Sequence, residues 1–255
     1  MNIKPYLIEF TKPLHAQVYA DLEEAKIAAD LAIESNSELQ NSLSIARASL
    51  AECMTKKEEK KSAIDLYLSS KYQVIPNKAY INKRGKKSQS VWLNQMITPQ
   101  AWEVQNFVQK YAGKDGNVWT KASTLGEALA KHTTWVDEQK LYDGGDYYVY
   151  PEETLTTHKD KNDCEDVSYT FASFMPSLVG VCYGFYTNAK EKQTYGHAYP
   201  VVLYDSELFI VETTGTRAEL VPYSDVRYNA HFIVTKDYTY QVKSGVEFGS
   251  LASWD

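Results

Sequence analysis

Cys164 and His197 are the two side chains in this chain best suited to nucleophilic chemistry. The cysteine lies in Asn162-Asp163-Cys164-Glu165-Asp166, directly before a helix-patterned run, and the histidine opens a strand-patterned run, Gly196-His197-Ala198-Tyr199-Pro200-Val201-Val202. A thiol attacks well only after losing its proton, and both a helix N-terminus and a neighbouring imidazole favour that loss. After Cys164 the apolar residues Val167, Phe171, Phe174 and Leu178 recur at intervals of four, three and four, the stripe of a half-buried helix. Asn162 or Asp163 supplies the N-cap, which puts Cys164 in the first turn. The local acid opposes this: Asp163, Glu165 and Asp166 raise the thiol pKa unless they turn away or bind a cation. Taken singly, a buried filler cysteine and an ordinary strand histidine are the commoner occurrences. A third residue shifts that balance.

Asp205-Ser206 separates two strand-like segments, 197–204 and 207–212, and a two-residue turn there makes an antiparallel hairpin. In that register Tyr204 faces Glu207 and Tyr199 faces Glu212, so His197 and Glu212 become diagonal neighbours on one side of the sheet. Asp205 lies eight residues from His197 (205 minus 197), roughly 26 Å along an extended strand, and cannot reach it. Glu212 is therefore the candidate carboxylate to orient the imidazole.

Three segments in order, Asp146-Tyr147-Tyr148-Val149-Tyr150-Pro151-Glu152-Glu153-Thr154-Leu155, then Asn162-Asp163-Cys164-Glu165-Asp166, then Gly196-His197-Ala198, resemble the transglutaminase-like cysteine peptidases of bacteria and archaea. The resemblance covers about residues 120 to 235 and implies Cys164 as nucleophile, His197 as base and Glu212 as third member of a triad. The fold it implies is α+β, a papain/transglutaminase-like core with the nucleophile helix packed on an antiparallel sheet. Asn162 stands where that family usually has Gly, Tyr148 where it often has Trp, Glu212 where Asp is usual, and Tyr199 where transglutaminases commonly have Trp. No cofactor is required. In some relatives the acids flanking the cysteine hold calcium, which would involve Asp163 and Glu165; carboxylates at a helix start serve as often for capping.

Several elements must position these groups. Residues 13 to about 70 read as helix, with coiled-coil spacing at Leu39, Leu43, Ala46, Leu50 and Cys53, and a break at 34–37 that allows a helical hairpin. The expected division is a helical extension over 1–72, a connector over 73–95 and the motif-bearing domain over 96–255. Within the last, a helix starts at Thr98-Pro99 and sends Trp102, Phe107 and Tyr111 to the core before stopping at Gly113. A second helix over about 124–140 carries Trp135 and Val136, which by resemblance pack behind the nucleophile helix, Trp135 as core first and substrate platform second. Strands follow from about Gly180, at 197–204, 207–212, 231–236 and 238–242, so the order is helices and then sheet.

Bulk properties narrow the partners. The 255 residues carry a net charge of -6, with 44% hydrophobic and 24% charged residues, as in a soluble globular protein with no general affinity for nucleic acid. The basic run Lys83-Arg84-Gly85-Lys86-Lys87 is read as a solvated loop. No apolar leader or membrane-length run is present, and the three cysteines, Cys53, Cys164 and Cys182, have no metal-like spacing, so a reducing, cytoplasmic setting or a place in a viral particle is expected. Cys182 reads as buried filler.

Two functions compete. One is a thiol enzyme that hydrolyses, rather than transfers, protein or peptide amides through a Cys164-His197-Glu212 triad and an acyl-enzyme. The other is a structural or interaction protein, such as a viral-particle component, that retains the fold and assembles with itself or a partner through residues 13–70.

Overall fold

The computed structural model describes residues 61–77, 79–84, 87–113, 116–136, 147–215 and 217–245, together with Lys26, and for residues 79–84 and 87–90 the backbone alone. The chain divides into two compact units, Met1–Lys60 and Lys61–Asp255. The helical hairpin expected over 13–70 lies outside the described residues except for its last stretch. That stretch belongs to the second unit: α1 (Ala63–Ser69) is capped by the Ser62 hydroxyl, which accepts from the Asp65 N–H. Ile64 and Leu68 on it are fully buried. The expected boundary at 72/73 therefore falls too late, because the apolar face of α1 completes a core rather than a coiled-coil seam.

The expected connector is also structured. β1 (Gln73–Ile75) is an edge strand of the main sheet, and β2 (Ala79–Arg84) pairs with β3 (Lys87–Trp92) as a separate two-stranded ribbon. Lys83, Arg84 and Lys87 of the basic run lie in these two strands, Arg84 paired with Lys87, rather than in a loop. A 3-10 turn, Leu93–Met96, then buries Leu93 and Met96.

Among the described residues four helical segments follow: α2 (Trp102–Tyr111), α3 (Val118–His132), the single turn α4 (Pro151–Thr154) and α5 (Cys164–Phe174). α2 begins four residues after Thr98, whose hydroxyl donates to Glu152 on α4 instead of capping, and its first residue Trp102 is 72% exposed rather than in the core. Gly113 ends it with φ +67, the left-handed conformation that glycine adopts without strain. α3 ends at His132, short of the expected 140, so Trp135 and Val136 are not helical. The chain there is extended and pairs with the nucleophile loop, with the Val136 N–H donating to Asn162 O at 2.8 Å and Trp135 bridged to Asn162. Trp135 is 53% exposed, which removes it from the core.

The strands β4 (Val179–Asn188), β5 (Gln193–Tyr204), β6 (Glu207–Glu212), β7 (Glu219–Pro222), β8 (Tyr228–Val234) and β9 (Thr239–Gln241) join β1 in one antiparallel sheet of order β1-β9-β8-β4-β5-β6-β7. Side chains alternate between its faces. Val181, Tyr183, Ala198, Val202 and Phe232 pack on α2 to α5, while Cys182, Tyr199, Val201, Ile210 and Tyr240 pack on α1. The architecture is α+β, with helices on both sides of one antiparallel sheet. Asp65 of α1 is buried and answered by the Thr235 and Tyr240 hydroxyls at 2.7 and 3.0 Å, which ties α1 to β8 and β9.

One glycine is required by close approach. At Gly184 in β4, where the β4/β8 register shifts, an added Cβ would lie 2.1 Å from Asn229 O and 2.9 Å from Ala230 Cα, both backbone atoms. The same residue is the β5 partner of His197. Gly184→Ala is expected to destabilise the fold by about 3 kcal/mol, since the strand itself must move. Ile64→Ala is expected to cost about 2 to 5 kcal/mol by opening a cavity beneath α1. Urea midpoints of the two variants test the bulge and the placement of α1 within this unit.

Candidate active site

The site is built from the start of α5, the first half of β5 and the end of β6. Asp163 is the residue that caps α5: its side chain accepts from the Asp166 N–H at 3.5 Å. Cys164 is then the first helical residue, where backbone N–H groups lack helical acceptors. The helix is buried all round from Glu165 to Phe174 rather than half-buried, because α2, α3 and α4 cover the side turned from the sheet. Leu178, expected on its stripe, lies beyond its end. Asp166 turns away from the thiol, and its Oδ1 accepts from the Val149 N–H at 2.7 Å, which anchors the Tyr-Pro-Glu-Glu segment to the helix.

Ser168, one turn into α5, places the helix against β5. Its hydroxyl donates to Cys164 O at 2.6 Å and also lies 3.1 Å from Ala198 O. The Cys164 Sγ accepts from the Ala198 N–H at 3.4 Å, so the sulfur reaches the strand at the residue next to His197.

The hairpin forms in the expected register. Asp205 and Ser206 have φ of 49° and 63°, both positive as in the type I′ turn that suits the strand twist, and Tyr204 faces Glu207. His197 Nε2 lies 2.8 Å from Glu212 Oε2. The carboxylate takes three further hydrogen bonds: Tyr228 Oη donates at 3.1 Å to Oε2, while the Thr214 hydroxyl and backbone N–H donate to Oε1 at 2.6 and 3.0 Å. Burial alone would raise the Glu212 pKa; the His197 charge, with the hydrogen bonds from His197 and Thr214, outweighs it and holds the carboxyl down to about 2. The other ring nitrogen, Nδ1, makes no hydrogen bond among the described residues.

The thiol departs from expectation. Cys164 makes no hydrogen bond to His197; its S–H donates to Glu165 Oε2 at 3.0 Å. Burial, then the negative charges of Glu165 and Asp163, push the thiol well above its ordinary value, against the lesser help of the Ala198 N–H. The resting cysteine is a neutral thiol. The acids beside it, named in the sequence as a counterweight to the helix N-terminus, prevail because Glu165 is itself buried beside the sulfur.

Tyr228 and Thr214 were not found from the sequence. Thr214 had a local signal, a hydroxyl residue two positions after a strand-end carboxylate, where both its N–H and O–H can turn back. Tyr228 had none: it comes from β8, two strands removed from β5, and only the sheet order brings it to Glu212.

Among the described residues no three His, Cys, Asp or Glu side chains converge on a cation position. Asp163 is occupied as the helix cap and Glu165 with the thiol. No described helix is long and apolar enough to cross a membrane.

No family model matches the chain, and no curated protein matches it. Among solved structures, EGTA-treated LapG of Legionella pneumophila superposes with a TM-score of 0.42 at 14% identity, covering 64% of this chain and 92% of that one. Calcium-bound LapG gives 0.41 at 15%, covering 60% and 95%. The NAT3 arylamine N-acetyltransferase of Bacillus cereus, described with a Cys-His-Glu catalytic triad, gives 0.38 at 15%, covering 55% and 68%. Function in this chain stands on its own residues.

The Glu212 shift fixes a pH dependence. With the folded pKa near 2 and the ordinary value at 4.5, its contribution to stability is fully present above pH 4.5 and is lost as pH falls from 4.5 through 2. Urea unfolding between pH 5.5 and about 2.5 is expected to show that loss in the native chain and less of it in Glu212→Gln.

Proposed function

We propose that this chain is a papain-like, transglutaminase-like thiol enzyme that hydrolyses protein or peptide amides through Cys164, His197 and Glu212. The observation that supports it most is the His197–Glu212 pair: a carboxylate held by four donors fixes one imidazole nitrogen and leaves the other unoccupied. That arrangement sets a tautomer and stabilises an imidazolium, which a base needs and a filler histidine does not.

In this reading the thiol exchanges Glu165 for His197 Nδ1, which requires the imidazole to move as well as the thiol, because His197 shares the Tyr199 face of β5 while the sulfur lies at Ala198 on the other. The imidazole takes the proton as sulfur attacks the amide carbonyl, and the oxyanion is met by the Cys164 N–H at the helix start. Collapse of the tetrahedral adduct breaks the C–N bond, and the proton on Nδ1 passes to the leaving amine. Water, deprotonated by the same nitrogen, then releases the acyl group and restores the thiol. Glu212 keeps its charge throughout and stabilises each imidazolium.

A second reading has its own support. The raised thiol pKa and the Cys164–Glu165 contact suit a protein that keeps this architecture as a scaffold, with no reactive sulfur.

Iodoacetamide labelling between pH 6 and 9 separates the two. The enzyme reading predicts that Cys164 labels at least about tenfold faster than the fully buried Cys182 at pH 7 and that His197→Ala abolishes the difference. Glu165→Gln is expected to quicken Cys164, since it removes both a charge that holds the proton on and the acceptor that fixes the thiol. Slow labelling that is unchanged by either substitution supports the scaffold.

A further inference from the structure

Charge is unevenly spread along this chain. The net charge is -6, yet residues 66–102 hold six Lys or Arg and no Asp or Glu, which leaves the remaining residues at -12 (-6 minus +6). The net charge that argues against nucleic-acid binding is therefore an average over two regions of opposite sign. Three of the six cations, Lys83, Arg84 and Lys87, lie in the β2–β3 ribbon, a two-stranded sheet separate from the main one. Val91, toward the end of the ribbon that leads into the 3-10 turn, is buried, and Tyr80 is its cross-strand partner. Arg84 lies four residues beyond Tyr80 (84 minus 80), roughly 13 Å further along an extended strand. The basic end of the ribbon is thus carried away from its buried end.

The register of the ribbon points to an anionic partner of a particular shape. Arg84 and Lys87 are direct cross-strand partners, a like-charge pair that costs a sheet stability unless an anion answers it. Strand alternation puts Lys83 and its partner Ser88 on the opposite face from Arg84 and Lys87, so cations stand on both faces. A flat anionic surface, as on a membrane or an acidic protein, meets one face. A groove with anions along both walls meets both. The major groove of duplex DNA, about 12 Å wide, admits a two-stranded ribbon, whereas the major groove of duplex RNA is too narrow. From Asn82 to Ser90 the ribbon holds no large apolar residue to enter a lipid interface.

We propose that the β2–β3 ribbon is a DNA-binding arm that enters the major groove of a duplex, with Lys83, Arg84 and Lys87 on the phosphates. This goes beyond the thiol-enzyme reading and does not rest on it, because no residue of the ribbon belongs to the candidate active site. Contacts to phosphate position the arm and carry no base preference of their own.

Fluorescence anisotropy of a labelled DNA duplex of about 20 base pairs, titrated with the full chain, tests it. Binding is expected at about 25 mM salt and is expected to weaken with a slope of log K on log salt of about -2.7, the value for three phosphates neutralised on B-DNA. The Lys83→Gln, Arg84→Gln, Lys87→Gln triple variant is expected to bind at least about tenfold more weakly, with the slope flattened toward zero. Lys83→Arg with Lys87→Arg keeps the charge and is expected to keep both affinity and slope. Poly-glutamate and vesicles containing phosphatidylserine are the rival anions, and each is expected to bind more weakly than the duplex. No binding at about 25 mM salt, a slope nearer zero than about -1, an affinity unchanged in the triple variant, or a rival anion bound as tightly as the duplex would overturn the proposal. The slope and the rival anions are measured on the native chain, so they decide the matter even where the triple variant does not fold. Labelling of Cys164 and binding of DNA are separate readouts, and failure of either leaves the other standing.

Discussion

The Glu212 carboxylate is the interaction on which the arrangement around it depends. A buried charge is costly unless every lone pair is met, and here His197, Tyr228 and both donors of Thr214 meet them. These donors come from β5, from β8 and from the residues just after β6. One ion therefore couples three separate stretches of chain. Removing any donor leaves a buried acceptor short, so the pressure to keep β8 against β4, and β4 against β5, comes in part from the polar end of the sheet. Gly184 belongs to the same requirement, since a side chain there would force β8 away at the level of His197.

The nucleophile helix is governed by a second balance. Its N-terminus favours an anion, and the chain supplies three carboxylates there. Asp163 uses that field as a cap and Asp166 uses it to hold the preceding segment, while Glu165 is left beside the sulfur. The partial positive charge that would support a thiolate is thus already answered by carboxylates. Neutral sulfur follows from electrostatics, and its partner at rest is an acid rather than the imidazole.

The polar framework was legible in the sequence where it is local. The Asp205-Ser206 turn, the register that follows from it and the side-by-side placement of His197 and Glu212 all derive from a two-residue spacing and the period of a strand. The start of α5 was legible for the same reason, though not which of Asn162 and Asp163 caps it. What failed was set by packing at a distance. Trp102 and Trp135 were placed inward because indoles are usually buried, yet α2 starts later and α3 ends earlier than their apolar patterns suggest, and both rings face solvent. The role of α1 was hidden by a helical composition continuous with the residues before it. Only the sheet's second face, lined by Tyr199, Ile210 and Tyr240, shows why Ile64 and Leu68 are apolar.

The hairpin turn has a consequence for how this surface can vary. Asp205 and Ser206 are exposed and touch nothing in the site, so their identities are constrained only by the positive φ that Asp, Asn and Gly tolerate best. Their number is constrained absolutely. Because side chains alternate, a one-residue slip between β5 and β6 would send Glu212 to the face packed on α2 to α5 and bring a neighbour, Val211 or Thr213, opposite the imidazole. The β4–β5 pairing obeys the same parity, since a one-residue slip there would carry His197 away from Gly184 and Tyr228 of β8 away from Glu212.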